Sequence, residues 1–142
     1  MKLRARYENR SNERFWAALD EDRLVLQRCD ACAYVRHPES WLCPNCLSDS
    51  FAWQPMSGHG RVETFVWYFD YLHTASGHDF DVYPELPYNV TAVRLDEGPL
   101  LISNTVGVAF GELAVGAQVE ATYDHATVDD LTVLRFRVVV AT

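Results

Sequence analysis

The stretch CDACAYVRHPESWLCPNC, residues 29–46, holds all four cysteines of the chain, Cys29, Cys32, Cys43 and Cys46, as two Cys-x-x-Cys pairs. Strand-like runs flank it, RLVLQR before and SFAWQP after. Two such pairs presented on hairpin turns set four thiolates at the corners of a tetrahedron, the arrangement that a filled-shell dication such as zinc favours. Iron in the same sulfur cage is the chemical alternative. A site saturated by four thiolates leaves no position for water or substrate, so the cluster reads as structural. His37 and His59 lie close in sequence, but a fifth ligand is not needed and both read as surface histidines.

Working outward, the 142 residues suffice for one hydrophobic core with a small appendage. Three regions are expected: an N-terminal arm and helix at 1–23, a zinc ribbon at 24–56 and a β-barrel at 57–142. Hydrophobic residues make up 49% and charged residues 23%, the composition of an ordinary globular chain. The opening residues lack the apolar run of a signal peptide, and no segment has the apolar length of a membrane span. These features predict a cytoplasmic protein with no membrane partner, in a compartment where thiols stay reduced.

Charge is distributed unevenly. Residues 1–28 carry seven Lys/Arg against five Asp/Glu, whereas the remainder carries five against fifteen. An acidic body repels polyphosphates, which counts against a nucleic-acid partner and against unaided capture of an anionic cofactor.

The segment SNERFWAALDED predicts a short helix capped by Ser11 or Asn12, with Phe15, Trp16 and Leu19 on one face. A helix this short does not bury two aromatics by itself, so it must lie on the body or on another chain. After the ribbon come strands. GRVETFVWYFDYL places Val62, Thr64, Val66 and Tyr68 on one face and Glu63, Phe65, Trp67 and Phe69 on the other. YNVTAVRL turns through DEGP into LLISNTVG, and AQVEATYD and LTVLRFRVVVA follow. Five strands with Gly-marked bends predict a small closed barrel of the OB type, although strand count alone does not separate this from a small sandwich.

Between the first two barrel strands, DYLHTASGHDFDVYPELP has no clear period. Its Tyr71, His73, His78 and Phe80 suggest a contact loop. A second metal site from His73, His78 and Asp79 is disfavoured by their spacing. YDHATVDD reads as a solvated turn, with Asp124 and His125 at its start. No Gly-rich phosphate loop and no nucleophile elbow are present, and the thiols are committed, so catalytic constellations are thin.

The order of FW, LVLQRCDAC, CPNC, SGHGRVETF, PYNVTAVRLDEGPLL and VGAQVEATYD resembles, from about Phe15 onward, the OB-fold zinc-ribbon acyl-CoA-associated proteins, group thirty-five of the domains of unknown function. The resemblance implies a mainly β chain with an N-terminal helix, a rubredoxin-like ribbon and a C-terminal five-stranded OB barrel. It implies zinc on the four cysteines and no catalytic residues of its own. It further implies a hetero-oligomer with a thiolase-fold enzyme, such as a thiolase, aldolase or acyltransferase, in lipid, steroid or polyketide metabolism. Acyl-CoA would be shared with that partner, and Phe15, Trp16, Trp67, Tyr71, His73, His78 and Phe80 are the candidate contacts. One departure occurs twice: Ala33 and Leu47 stand where the family commonly has glycine after each Cys-x-x-Cys. A Cβ at the positive φ of a knuckle costs about 1 kcal/mol, small beside the ten or so that structural zinc contributes. A single-stranded nucleic-acid module is the alternative class, and it would need a cationic groove beside Trp67, Tyr68 and Phe69. A self-sufficient enzyme using His73, His78 or His125 is the third.

Overall fold

The computed structural model describes residues 12–69, 86–128 and 130–140. Tyr71, His73, His78, Asp79 and Phe80 therefore lie outside the described residues. Helix α1 (Glu13–Asp20) is followed by strands β1 (Val25–Cys29), β2 (Val35–Arg36) and β3 (Phe51–Pro55), which form a three-stranded antiparallel sheet in the order β2-β1-β3. The second sheet contains β4 (His59–Tyr68), β5 (Tyr88–Leu95), β6 (Leu100–Ser103), β7 (Thr105–Val106), β8 (Gln118–Val128) and β9 (Leu131–Val138), in the order β6-β5-β4-β8-β9-β7.

The two edges of that sheet, β6 and β7, are halves of one predicted strand separated by Asn104. The expected closed barrel is thus an open ladder whose edges are brought together by a strand break. The break is bonded on both sides: the Phe136 N–H donates to the Asn104 carbonyl at 2.9 Å and the Ser103 hydroxyl to the Leu134 carbonyl at 2.7 Å. Asn89, almost fully buried, accepts the Thr105 N–H and donates to the Thr105 carbonyl, both at 2.7 Å. Left unpaired in the interior, such peptide groups would cost about 1–3 kcal/mol each.

The face assignment along β4 requires correction. A bulge between Val62 and Thr64 inserts one residue against β5, so the inward set changes phase from Gly60 and Val62 to Phe65 and Trp67. Val66 and Tyr68, expected to share a face with Val62, are exposed. Glu63 at the bulge is gripped by Arg94 through two N–H···O bonds of 3.0 and 3.1 Å. Close approach of β4 to β5 explains Gly60, where a Cβ would lie 2.5 Å from the Arg94 carbonyl oxygen.

A single core joins every layer. Phe15 and Leu19 of α1, Leu24 just before β1, Leu26 of β1, Met56, and Val62, Val93, Leu95, Leu101, Val119 and Phe136 of the second sheet form one cluster. Burying each such side chain contributes about 1.5–3 kcal/mol. Helix α1 lies on β9, β1 and β8, so its apolar face is covered by its own chain. Asn12 occupies the N-cap position, but its side chain makes no capping bond.

The predicted turn at YDHATVDD is also revised. Strand β8 runs on to Val128, with an irregularity between Asp124 and Val128 that curls the backbone around the Asp124 carboxylate. That carboxylate accepts the Ala126 and Thr127 N–H groups at 3.0 Å and Arg135 Nε at 2.7 Å. Partial burial raises its pKa, but the Thr127 side chain, these two amides and Arg135 outweigh burial and hold it well below the usual carboxylate range.

A depressed folded-state pKa contributes stability above the unfolded value and loses it as pH falls through the folded one. Asp124→Asn is therefore expected to destabilise by about 2 kcal/mol at pH 7, with the gap to wild type closing as pH drops below about 4. Urea unfolding across that range measures it. Gly60→Ala is expected to lower the melting temperature, because the obstructing atom is backbone and cannot rotate away.

Candidate metal centre and its surroundings

Each knuckle is built by the same local bonds. In the first, the Ala33 N–H donates to the Cys29 carbonyl and the Cys29 N–H to the Tyr34 carbonyl, both at 2.9 Å. In the second, the Leu47 N–H donates to the Cys43 carbonyl at 2.8 Å and the Cys43 N–H to the Ser48 carbonyl at 2.9 Å. Both turns need a left-handed residue just after the second cysteine, and Ala33 and Leu47 adopt it at φ of 65° and 64°. The knuckle geometry is kept despite the missing glycines.

The four sulfurs all lie within 4.8 Å of one another, with Cys29–Cys46 at 3.5 Å and Cys32–Cys43 at 3.6 Å. A tetrahedral zinc–thiolate site with bonds of ~2.3 Å has sulfur–sulfur edges of ~3.8 Å, so these donors fit the ion in number, type and spacing. The thiols differ in how readily they ionise. The Asn45 side-chain amide, 3.4 Å away, and the Tyr34 N–H pull the Cys32 thiol down to about 6. Cys46 is pushed up to about 12, because the Ser48 N–H that favours its thiolate is outweighed by Cys29, burial and the other two sulfurs. Thiolates crowded this closely repel one another, and a cation among them relieves that repulsion.

Around the cluster, Arg36 anchors the ribbon from within. Its Nε donates to Gln27 Oε1 at 2.9 Å, its Nη2 to the Ser40 carbonyl at 2.8 Å, and its guanidinium lies 5.0 Å from the Phe51 ring centroid. His37 is not a surface histidine: its ring packs 5.2 Å from Phe15, and burial lowers its pKa. His59 is exposed as expected.

Among the other candidates, Phe15 is a core residue at 8% exposure, edge-on to the half-buried Trp16. Trp16 lines a cleft of about 330 Å³ with Ile102 and Leu131. Trp67 borders a larger open cleft of about 720 Å³, whose lining combines the aromatic Tyr88 and Phe110 with the polar Asn104, Thr122 and Arg135. Phe110 meets Trp67 and the exposed Phe69 edge-on, at centroid separations of 5.6 and 4.8 Å. Sequence reasoning missed Phe110, which lies in an aperiodic bend where no alternation marks it.

His125 enters a chain of polar contacts. Its Nε2 is 2.6 Å from Asp22 Oδ1 and its Nδ1 3.0 Å from Thr132 Oγ1, which in turn donates to Asp20 Oδ1 at 2.7 Å. The order hydroxyl, imidazole, carboxylate looks like a nucleophilic triad. Thr132 is only 4% exposed, however, and its single proton is engaged by Asp20, so the hydroxyl is neither accessible nor activated by the ring. The chain instead ties the end of α1 to the β8–β9 hairpin.

The barrel arginines are likewise engaged. Arg94, Arg135 and Arg137 pair with Glu63, Asp124 and Glu120, and Arg61 donates to the Gly116 carbonyl. Beside Trp67, Tyr68 and Phe69 the described residues offer no cationic groove of the kind single-stranded nucleic acid requires.

Metal analysis is expected to return one zinc per chain. Replacing Cys29 and Cys32 with Ser should release it and loosen residues 29–50, while β4–β9 keep most of their amide-exchange protection, as followed by hydrogen exchange.

Comparison with known proteins agrees with this geometry. The family models for the ChsH2 rubredoxin-like zinc ribbon domain and the ChsH2 C-terminal OB-fold domain match residues 16–52 and 53–124. A probable enoyl-CoA hydratase alpha subunit of Thermomonospora curvata is 35% identical over 131 residues, covering 91% of this chain. The chain spans only 38% of that relative's length. A DUF35 domain-containing scaffold protein of Methanocaldococcus jannaschii is 30% identical over 101 residues, 70% of this chain and 67% of the relative. The solved structure of an Ltp2-ChsH2(DUF35) aldolase contains a chain that superposes with a TM-score of 0.78 at 32% identity, covering 93% of this chain and 97% of that one. Two matched knuckles, a strand-broken barrel and these similarities together place the chain in the ChsH2-type DUF35 family, a rubredoxin-like zinc ribbon followed by an OB-fold.

Proposed function

We propose that the chain is a non-catalytic accessory subunit of an acyl-CoA enzyme, forming a cytoplasmic hetero-oligomer with a thiolase-fold partner and lining part of that partner's acyl-CoA channel. The observation that carries this reading is the likeness, over nearly the whole length of both chains, to the DUF35 component of an Ltp2-ChsH2 aldolase. The scaffold name of the Methanocaldococcus relative and the hydratase-subunit name of the Thermomonospora relative support the same role.

Chemistry within the chain is consistent with assistance rather than catalysis. The four thiols belong to the metal centre, and the His125 triad look-alike is a structural tie. The cleft beside Trp67 offers apolar lining for an acyl or pantetheine segment and polar lining for its amides, while the acidic body leaves the CoA phosphates to the partner. In this reading Trp16 and Trp67, together with Tyr71, His73, His78 and Phe80, supply contacts to the partner or its substrate.

Purified alone, the chain is expected to show no thiolase, aldolase or hydratase turnover of acyl-CoA thioesters. Co-expressed with a thiolase-fold acyl-CoA enzyme of the same organism, it should co-elute in size-exclusion chromatography and raise that enzyme's turnover. Robust activity of the isolated chain, or failure of the two to associate, would overturn the proposal.

A further inference from the structure

Leu47 breaks a local rule without any gain inside the chain. Its N–H bond to the Cys43 carbonyl holds the backbone at φ 64°, where a side chain is strained and glycine is not. The side chain fills no core, being 72% exposed. A residue that costs stability locally and contributes nothing to packing points to a demand from outside the fold. Ala33 occupies the equivalent place in the first knuckle at φ 65°, but carries only a methyl group.

Leu47 is not isolated. Trp41 is 65% exposed, Leu42 50% and Tyr34 45%. Leu42 and Leu47 directly adjoin Cys43 and Cys46, and Trp41 and Tyr34 stand two residues from Cys43 and Cys32. Because the four sulfurs converge within 4.8 Å, these apolar side chains all emanate from one small knob rather than being scattered over the surface. Tryptophan and tyrosine are also the residue types that dominate binding hot spots.

The charges around the knob are acidic in balance, with the exposed Arg28 standing just before Cys29. Between residues 29 and 50 the chain has Asp30, Glu39 and Asp49, and its one cation, Arg36, is 4% exposed and bonded to Gln27 and Ser40. An apolar knob flanked by Asp30 and Asp49, on a chain of net charge −8, fits a recess edged by Lys or Arg. A second copy of this acidic chain, a nucleic acid and an anionic lipid surface would each meet like charge there.

We infer that the two zinc knuckles form a docking tip, with Trp41, Leu42 and Leu47 as its apolar contacts, which inserts into a basic-rimmed apolar recess on the partner enzyme. This rests on the accessory-subunit reading and adds to it the surface used and the chemistry of the surface that receives it.

The test uses the full chain and the co-expressed thiolase-fold enzyme, with affinity measured by titration calorimetry and stability by thermal unfolding, zinc content being checked for each variant. Leu47→Gly is expected to raise the melting temperature by about 3 °C through relief of backbone strain, yet to weaken partner binding about tenfold. Ala33→Gly should raise the melting temperature similarly with affinity unchanged, and Trp41→Ser should weaken binding by at least about tenfold. Wild-type affinity should fall as salt rises. Binding kept within about twofold by both Leu47→Gly and Trp41→Ser would overturn the docking tip alone. No binding by the wild-type chain would instead overturn the accessory-subunit reading, and the tip with it.

Discussion

Convergence of four sulfurs on one point is the constraint from which the ribbon follows. Among residues 29–50 only Cys29, Arg36 and Cys43 are buried, so this segment has no hydrophobic interior of its own. Metal–thiolate bonding of the order of 10–16 kcal/mol does there what apolar burial does elsewhere. It also tolerates two residues in the left-handed region, since a strain of about 1 kcal/mol at each is small against it. With the interior supplied by sulfur and one bonded arginine, the apolar side chains of the two loops are free to face outward.

The second sheet meets a different constraint, that of serving two edges with one strand. Asn104 interrupts the run from Leu100 to Val106, so that its first half pairs with β5 and its second half with β9 in parallel. The cost of such a break lies in stranded peptide groups, and Asn89 and Asn104 remove it by bonding Thr105, Arg135 and Phe136. The same break borders the cleft beside Trp67, since Asn104, Thr105 and Val106 line it. Polar residues in the lining of that cleft thus come with the way the sheet's edges are joined.

Much of this was legible in the residues, and the limits have physical causes. Cysteine spacing is short and local, so it predicts the sulfur cluster directly, while the two left-handed positions follow from the family resemblance, which commonly has glycine there. Strand alternation located β4, β5, β8 and β9, because a half-buried strand must alternate whatever it packs on. The bulge at Glu63, by contrast, depends on register against β5 and on the grip of Arg94, thirty-one residues away. The strand break at Asn104 depends on Asn89, and the inclusion of His125 in a strand depends on Asp22 and Thr132. His37 reads as exposed because nothing within its own segment shows that Phe15 will cover it. Each revision involves a partner far away in sequence, where alternation and spacing carry no information.

A docking tip is of use only if its direction is fixed relative to the surface that acts on the partner, and the shared core supplies that rigidity. Leu24 and Leu26 enter the same cluster as Leu19, Val62 and Phe136, so the ribbon sheet and the second sheet are not beads on a linker. The Met56 N–H bond to the Leu24 carbonyl at 2.8 Å closes the exit of the ribbon onto its entry, and Met56 is itself buried in the cluster. The ties from Asp20 and Asp22 to Thr132 and His125 then hold α1 against the β8–β9 hairpin. Rotation of the knuckles about the barrel would have to open this core, at roughly 1.5–3 kcal/mol for each large side chain exposed. In the proposed accessory role, contacts made at the sulfur cluster therefore orient the cleft beside Trp67, and this surface shapes a reaction by where it is held.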